Sequence, residues 1–206
     1  MIYTWIADVT PLMQNAVYER YFKALPTWRQ EKANRLKNTI DKALSVGAWI
    51  LYEQANTKYQ EIQAFNLSHS GKYALCSFTC EESHMVGCDV QEVKAMKDAL
   101  AKRFFTQKEC VYISQGKTQD ERMQSFYRLW VLKESFAKAT KEGLGIGFAN
   151  FDVGFDSKDE PILLEKPKRI TKKYYFKEYA LESENYKIAV CASTNQFAET
   201  IEIAKI

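Results

Sequence analysis

The sequence predicts an α+β fold of two similar lobes in one chain, and three observations carry this. The pattern of strand, then helices, then antiparallel strands occurs twice in the same order. The 206 residues, 46% hydrophobic and 27% charged, suffice for one large domain or two small lobes and are too apolar for disorder. No low-complexity tract or long linker separates the halves. The boundary is expected near residues 80–84, which gives a first lobe over 1–83 and a second over 84–206. A cleft between two such lobes is the default place for a ligand.

The elements follow in order. Residues 2–8 alternate as a strand. Pro11 breaks the chain, a helix follows over 15–23, and Pro26 restarts it. Residues 29–59 carry a helical pattern, with Lys, Arg, Gln and Asn on one side and Ala, Leu, Trp and Ile on the other. Strands near 64–68 and 73–78 flank Ser70-Gly-Lys72. In the second half, 85–90 reads as a strand and 94–105 as a helix. Thr106-x-x-Glu109 and Thr118-x-x-Glu121 are capping boxes that open two further helices, the last running to about residue 142 with Gly143 as its stop. Strands are expected near 151–155, 162–164, 174–181, 186–193 and 200–203.

Composition narrows the function classes. Lys and Arg total 29 against 26 acids, a net charge of +3, which argues against a dedicated nucleic-acid binder. The longest apolar run, 46–52, is far too short to cross a bilayer. Residues 1–8 lack the basic start of a secretory leader, and five cysteines, an odd number, suit a reducing cytoplasm. Cys76, Cys80, His84 and Cys88 recur every fourth residue, but on strands they would not converge, so buried thiols are expected rather than zinc.

Three segments stand out chemically. In Gly87-Cys-Asp-Val-Gln91 an aspartate sits in an otherwise apolar strand, where Asp is disfavoured; Asp89 and Gln91 project from one face. Solvent exposure or helix capping would also account for it. In Trp130-Val-Leu-Lys-Glu-Ser-Phe-Ala-Lys138, helical geometry puts Glu134 about 40° from both Trp130 and Lys138, and turns Lys133 toward the broad apolar side. A surface Glu–Lys pair would show the same spacing. In Asn66-Leu-Ser-His-Ser-Gly71, hydroxyls flank one of two histidines; the segment suits a phosphate cradle or a structural turn. Gly143-Leu-Gly-Ile-Gly147 follows a helix, whereas phosphate loops precede one, so it reads as a stop and a tight turn.

Together, Phe65-Asn-Leu-Ser-His-Ser70, Gly87-Cys-Asp-Val-Gln91 and Trp130-x-x-Lys-Glu-x-x-x-Lys138 occur in the order found in the 4′-phosphopantetheinyl transferases. Arg103-Phe-Phe-Thr-Gln-Lys-Glu109 adds a supporting match, and the chain resembles the larger, surfactin-type class. The resemblance implies two pseudo-symmetric lobes and a Mg²⁺-dependent (or Mn²⁺-dependent) enzyme of the cytoplasm, acting as a monomer. It implies transfer of phosphopantetheine from coenzyme A to a serine of an apo acyl or peptidyl carrier protein, releasing 3′,5′-ADP, with no nucleic acid or membrane as partner. By resemblance, Asp89 and Glu134 hold the metal, with Gln91 where many members have a second acid of the strand. Glu134 takes the serine proton and Lys138 holds the pyrophosphate, with Lys133 beside it in the coenzyme A set. Ser68 and His69 touch phosphates, Arg29 and Lys32 meet the nucleotide 3′-phosphate, and Ser45 lies near the adenosine. The family's Gly-Lys-Pro segment before the Ser-His block is missing, and Leu44 stands where an arginine is common. An inactive relative that only binds coenzyme A or a carrier is the alternative; Asp89, Glu134 and Lys138 argue against it.

Overall fold

The protein is described by a computed structural model covering residues 1–95, 99–181 and 185–206. The first lobe opens with β1 (Tyr3–Asp8), whose four central residues are buried. Helices α1 (Asn15–Ala24), α2 (Thr27–Asn34) and α3 (Thr39–Tyr59) follow, then the hairpin β2 (Ala64–Ser70) and β3 (Tyr73–Thr79). The second lobe repeats this with β4 (Val86–Glu92), α4 (Ala99–Phe104), α5 (Gln107–Ser114) and α6 (Gln119–Ala139). It then inserts a hairpin, β5 (Asp152–Phe155) and β6 (Pro161–Glu165), before β7 (Tyr175–Tyr179) and β8 (Tyr186–Ala192).

Pairing makes the repeat explicit. In the first sheet β3 lies between β1 and β2, antiparallel to both. In the second, β8 lies between β4 and β7, again antiparallel to both. The long helices α3 and α6 are both 21 residues and bring apolar side chains to their own lobe's sheet. A third apolar cluster joins the lobes: Ile2, Ile6 and Leu75 of the first pack on Val86, Cys88, Val90, Ile188 and Val190 of the second.

The structure departs from the sequence expectations in four places. The pattern over 29–59 is two helices, because Arg35 to Asn38 interrupt it; Asn38 is extended and its amide bonds Asp41 at 2.8 Å. The expected helix over 94–105 is helical at Ala99–Phe104, while Lys94 and Ala95 are not; Met96, Lys97 and Asp98 lie outside the described residues. Helix α6 stops at Ala139, capped by Thr140; Lys141 (φ 61°) is the first left-handed residue, and Gly143 (φ 56°), left-handed too, begins a 3₁₀ turn. Finally, β9 (Glu202–Ile203) pairs in parallel with β1, so the tail of the expected second lobe completes the sheet of the first. Residues 196–198 reinforce this through backbone bonds with Ile2. Both capping boxes form: Thr106 with Glu109, and Thr118 with Glu121. Among the described residues no helix is long and apolar enough to cross a membrane.

Candidate active site

The site lies where β4, at the edge of the second sheet, runs beside β2, at the edge of the first, under the C-terminal half of α6. Gly87 makes the close approach possible. A Cβ there would overlap the Ser135 carbonyl oxygen and the Ala139 nitrogen of α6. Glycine lets the helix backbone press on the strand, and this brings Lys138 onto Asp89.

Asp89 is 1% exposed, and both of its carboxylate oxygens are engaged. Oδ1 accepts from Ser68 Oγ and from Lys138 Nζ, each at 2.7 Å. Oδ2 accepts from Gln91 Nε2 at 3.2 Å. Lys138 also donates to Ser68 Oγ and to the Cys88 carbonyl, both at 3.1 Å, so its three N–H groups are all used. Burial alone would lower the proton affinity of Lys138; Asp89, with smaller help from Cys88 and Glu134, raises it net. The ammonium is therefore the local counter-charge to a buried carboxylate, which would otherwise be costly.

Glu134, one turn before Lys138, is half-buried and has no hydrogen-bond partner among the described residues. Burial first, and then the charge of Asp89, raise its pKa above the ordinary 4.5; Lys138 opposes this. A carboxyl group so raised is a stronger base than a free one. Asp89 and Glu134 are the two carboxylates here that could hold a hard divalent cation, which takes one or two carboxylates with substrate phosphates and waters; among the described residues no group of three or more His, Cys, Asp or Glu gathers as a metal site. The amide of Gln91 faces differently: its Oε1 accepts from Ser70 Oγ at 3.3 Å and its nitrogen points at Asp89. In this orientation it braces Asp89 and offers no oxygen toward it.

His69 projects on the opposite side of β2 from Ser68 and is exposed. Although its surface is largely accessible, the protein around the ring partly desolvates it, and this together with the charges of Lys138 and Lys32 lowers its pKa below 6.5, while Asp41 opposes. Arg29 is 5% exposed; its Nη2 donates to the Ser45 carbonyl at 2.7 Å, and its Nε has no partner. Its guanidinium lies 4.8 Å from the Trp49 ring centre. Ser45 is buried in α3 and meets Arg29 through its backbone.

Lys133, expected in the coenzyme A set, does not join this cluster. It is 0% exposed and donates to both Glu109 oxygens, at 2.6 and 2.7 Å, and to the Phe151 carbonyl at 2.6 Å. Its ammonium also lies 4.2 Å from the Phe151 ring centre. Burial lowers its pKa and Glu109 opposes. The motif lysine is an anchor inside the second lobe, on the side to which helical geometry turned it.

Sequence reasoning missed an aromatic face beside the cations. Trp28 (53% exposed) and Phe65 (38% exposed) lie on either side of Trp49 and Tyr52. Phe65 stacks on Tyr52 at 4.0 Å, and Trp28 meets Trp49 edge-on at 5.0 Å. Its only sequence signals were the 14% aromatic content and the i, i+3 pair Trp49–Tyr52.

The model of the 4′-phosphopantetheinyl transferase superfamily matches residues 85–191, just over half of the chain. The 4′-phosphopantetheinyl transferase Sfp of Bacillus subtilis (strain 168) is 36% identical over 137 residues, which are 66% of this chain and 58% of that protein. The L-aminoadipate-semialdehyde dehydrogenase-phosphopantetheinyl transferase of Homo sapiens is 28% identical over 158 residues, covering 68% of this chain and 49% of that one. A holo-(acyl-carrier-protein) synthase of Bacillus anthracis str. Ames aligns in structure with 52% of this chain and 93% of its own, at a TM-score of 0.45 and 19% identity. The chain thus spans less than three fifths of the length of the curated relatives named here. Gly87, which seats α6 on β4, Asp89 and the Lys-Glu-x-x-x-Lys stretch of α6 all lie within the matched segment, and the chain belongs to the 4′-phosphopantetheinyl transferase superfamily.

Proposed function

We propose that the chain transfers the phosphopantetheine arm of coenzyme A to a serine hydroxyl of an apo acyl or peptidyl carrier protein. The observation that carries this reading is the pairing of Asp89 with Lys138 where β4 runs beside β2, one helical turn from Glu134, whose pKa the charge of Asp89 helps to raise. In this reaction the serine oxygen bonds to the β-phosphorus of the pyrophosphate, the bond from that phosphorus to the bridging oxygen breaks, and 3′,5′-ADP leaves. Glu134 takes the serine proton; its raised pKa and its freedom from hydrogen bonds support that role. Lys138 exchanges one of its three bonds for a pyrophosphate oxygen and neutralises charge that builds there. Asp89 and Glu134 would hold a magnesium or manganese ion, whose chemistry is to neutralise phosphate charge.

Arg29, Lys32 and His69 are the cations offered to the nucleotide phosphates, and the unpartnered Nε of Arg29 supports this. Ser68 steadies Asp89 and Lys138 at the phosphate end. Ser45 sets Arg29 through its carbonyl, next to the adenosine. The aromatic face of Trp28, Trp49, Tyr52 and Phe65 offers the planar base a stacking surface. One chain supplies both lobes of the cleft, which favours a monomer, and five free cysteines fit a reducing cytoplasm. Neither nucleic acid nor membrane has a part in this reaction.

Incubation with coenzyme A, Mg²⁺ and a broad panel of apo carriers, followed by intact mass, tests the reading. A mass gain of one phosphopantetheine is expected, abolished by excess chelator. No gain on any carrier refutes the activity; full gain in chelator refutes the metal alone.

A further inference from the structure

The outward edge of β4 is bonded to β2 by side chains in place of a main-chain ladder. Asn66 Oδ1 accepts from the Cys88 N–H at 3.0 Å, Ser68 Oγ from the Val90 N–H at 3.4 Å, and Ser70 Oγ from the Glu92 N–H at 3.1 Å. Alternation explains the pattern. Residues 66, 68 and 70 share one face of β2, and the N–H groups of 88, 90 and 92 share the edge of β4 that faces away from β8. Short polar side chains thereby satisfy an edge that would otherwise be bare.

We propose that Ser70 is a positioning residue of the transfer site, acting on Asp89 through Gln91. The inference rests on the transferase reading above. A serine hydroxyl has one proton and two lone pairs. The Glu92 N–H occupies one lone pair, which leaves the proton for Gln91 Oε1 at 3.3 Å. With its oxygen held, the Gln91 amide turns its nitrogen to Asp89 Oδ2 at 3.2 Å. Ser68 and Lys138 hold the other oxygen, so the plane of the carboxylate is set from both ends. Ser70 has no bond to Lys138 or Glu134 among the described residues, so its influence passes through the amide. Without the hydroxyl, Gln91 is free to turn and Asp89 keeps only one fixed oxygen.

The test compares Ser70→Ala, Ser70→Thr, Gln91→Ala and the Ser70→Ala/Gln91→Ala double variant with the wild type. Three quantities are read: thermal melting, Mn²⁺ binding followed by electron paramagnetic resonance in the presence of coenzyme A, and transfer kinetics. Ser70→Ala should lower the Tm by less than about 4 °C, the shift expected for ~1 kcal/mol in a domain of this size. It should weaken Mn²⁺ binding by about tenfold and lower kcat, while the KM for coenzyme A stays within about twofold. Ser70→Thr should restore Mn²⁺ binding, and the double variant should be no worse than the poorer single one, because one path is cut twice. Unchanged Mn²⁺ binding in Ser70→Ala, or losses that multiply in the double variant, would overturn the inference while wild-type transfer still stands. A wild type that transfers nothing refutes the activity instead, and one that binds no Mn²⁺ refutes the metal role of Asp89 together with the inference.

Discussion

Gly87 and Ala139 are in backbone contact: a single methyl added to the strand residue would overlap the helix nitrogen. The glycine of the Gly-x-Asp motif therefore sets the distance between Asp89 and Lys138, and it touches neither. Gly87→Ala should lift α6 from β4. Overpacking of this kind costs about 1–3 kcal/mol, read as a lower urea midpoint. The transfer rate should fall about tenfold or more in the protein that remains folded, because the acid and the lysine no longer meet. A variant with a wild-type midpoint would show that the helix yields easily.

Lys133 and Glu109 form a buried pair that also caps α5 and receives the Val153 N–H. Lys133→Met strands a buried carboxylate and should cost about 3–5 kcal/mol of stability. Equilibrium unfolding checks this, and the Lys133→Met/Glu109→Leu double variant should recover part of the loss. The KM for coenzyme A in the folded fraction should be unchanged. A large rise in that KM with intact stability would return Lys133 to the substrate.

Glu134→Gln separates chemistry from folding. The folded pKa of Glu134 lies above its ordinary 4.5, so its ionised form is disfavoured by folding and its charge opposes stability as pH rises through that folded value. The amide variant should therefore melt at the wild-type temperature or above it at pH 8. Its transfer rate should fall about 10²-fold or more. In the wild type the acid limb of kcat/KM should lie above pH 4.5, and the residual rate of the variant should lack that limb.

His69 gives a pH dependence of the opposite kind. Its folded pKa lies below 6.5, under burial and the charges of Lys138 and Lys32, with Asp41 opposing. Between 6.5 and that lower value the unfolded chain binds the extra proton, so stability falls as pH falls. An anionic phosphate at His69 favours the protonated ring. Affinity for 3′,5′-ADP, measured by calorimetry, should then rise as pH falls from 8 to 6, with proton uptake. His69→Gln should flatten both trends; a profile unchanged in that variant assigns the effect elsewhere.

Trp28 tests the aromatic face. Its side chain is 53% exposed, so Trp28→Ala should leave the melting temperature nearly unchanged. Stacking of a base on an aromatic ring is worth about 1–3 kcal/mol. The variant should therefore bind 3′,5′-ADP about tenfold more weakly, while its affinity for inorganic pyrophosphate is kept. Equal losses for both ligands would place the tryptophan at the phosphates.

Helical period and capping chemistry made α6 and its Glu134–Lys138 face legible from sequence, since both depend on residues within one or two turns. The same arithmetic turned Lys133 inward, and its buried bonds to Glu109 agree with that over the role suggested by motif neighbours. The break at Arg35–Asn38 was hidden because Arg35, Leu36, Lys37 and Asn38 continue the helical pattern without a proline or glycine. The bonds from Asn66, Ser68 and Ser70 to β4 join separate sheets, and no local periodicity encodes such a register. The aromatic face likewise gathers from α2, α3 and β2, residues far apart in the chain. Gly87 could be seen, but the helix backbone that demands it lies about fifty residues on.

The parallel pairing of β9 with β1 gives the molecule an order of assembly. As the chain emerges from the ribosome, β1, β2 and β3 can align early, yet the flank of β1 opposite β3 has no neighbour until residues 202–203 appear. All of the second lobe is made in the interval. During that time β1 is an open edge, able to accept a foreign strand. The clasp that closes it forms last and spans almost the whole sequence, so it joins the slowest class of contacts, those that must wait for long-range loop closure. Nascent-chain crosslinking at Ile6 would detect partners borrowed for that interval and released once Ile203 arrives.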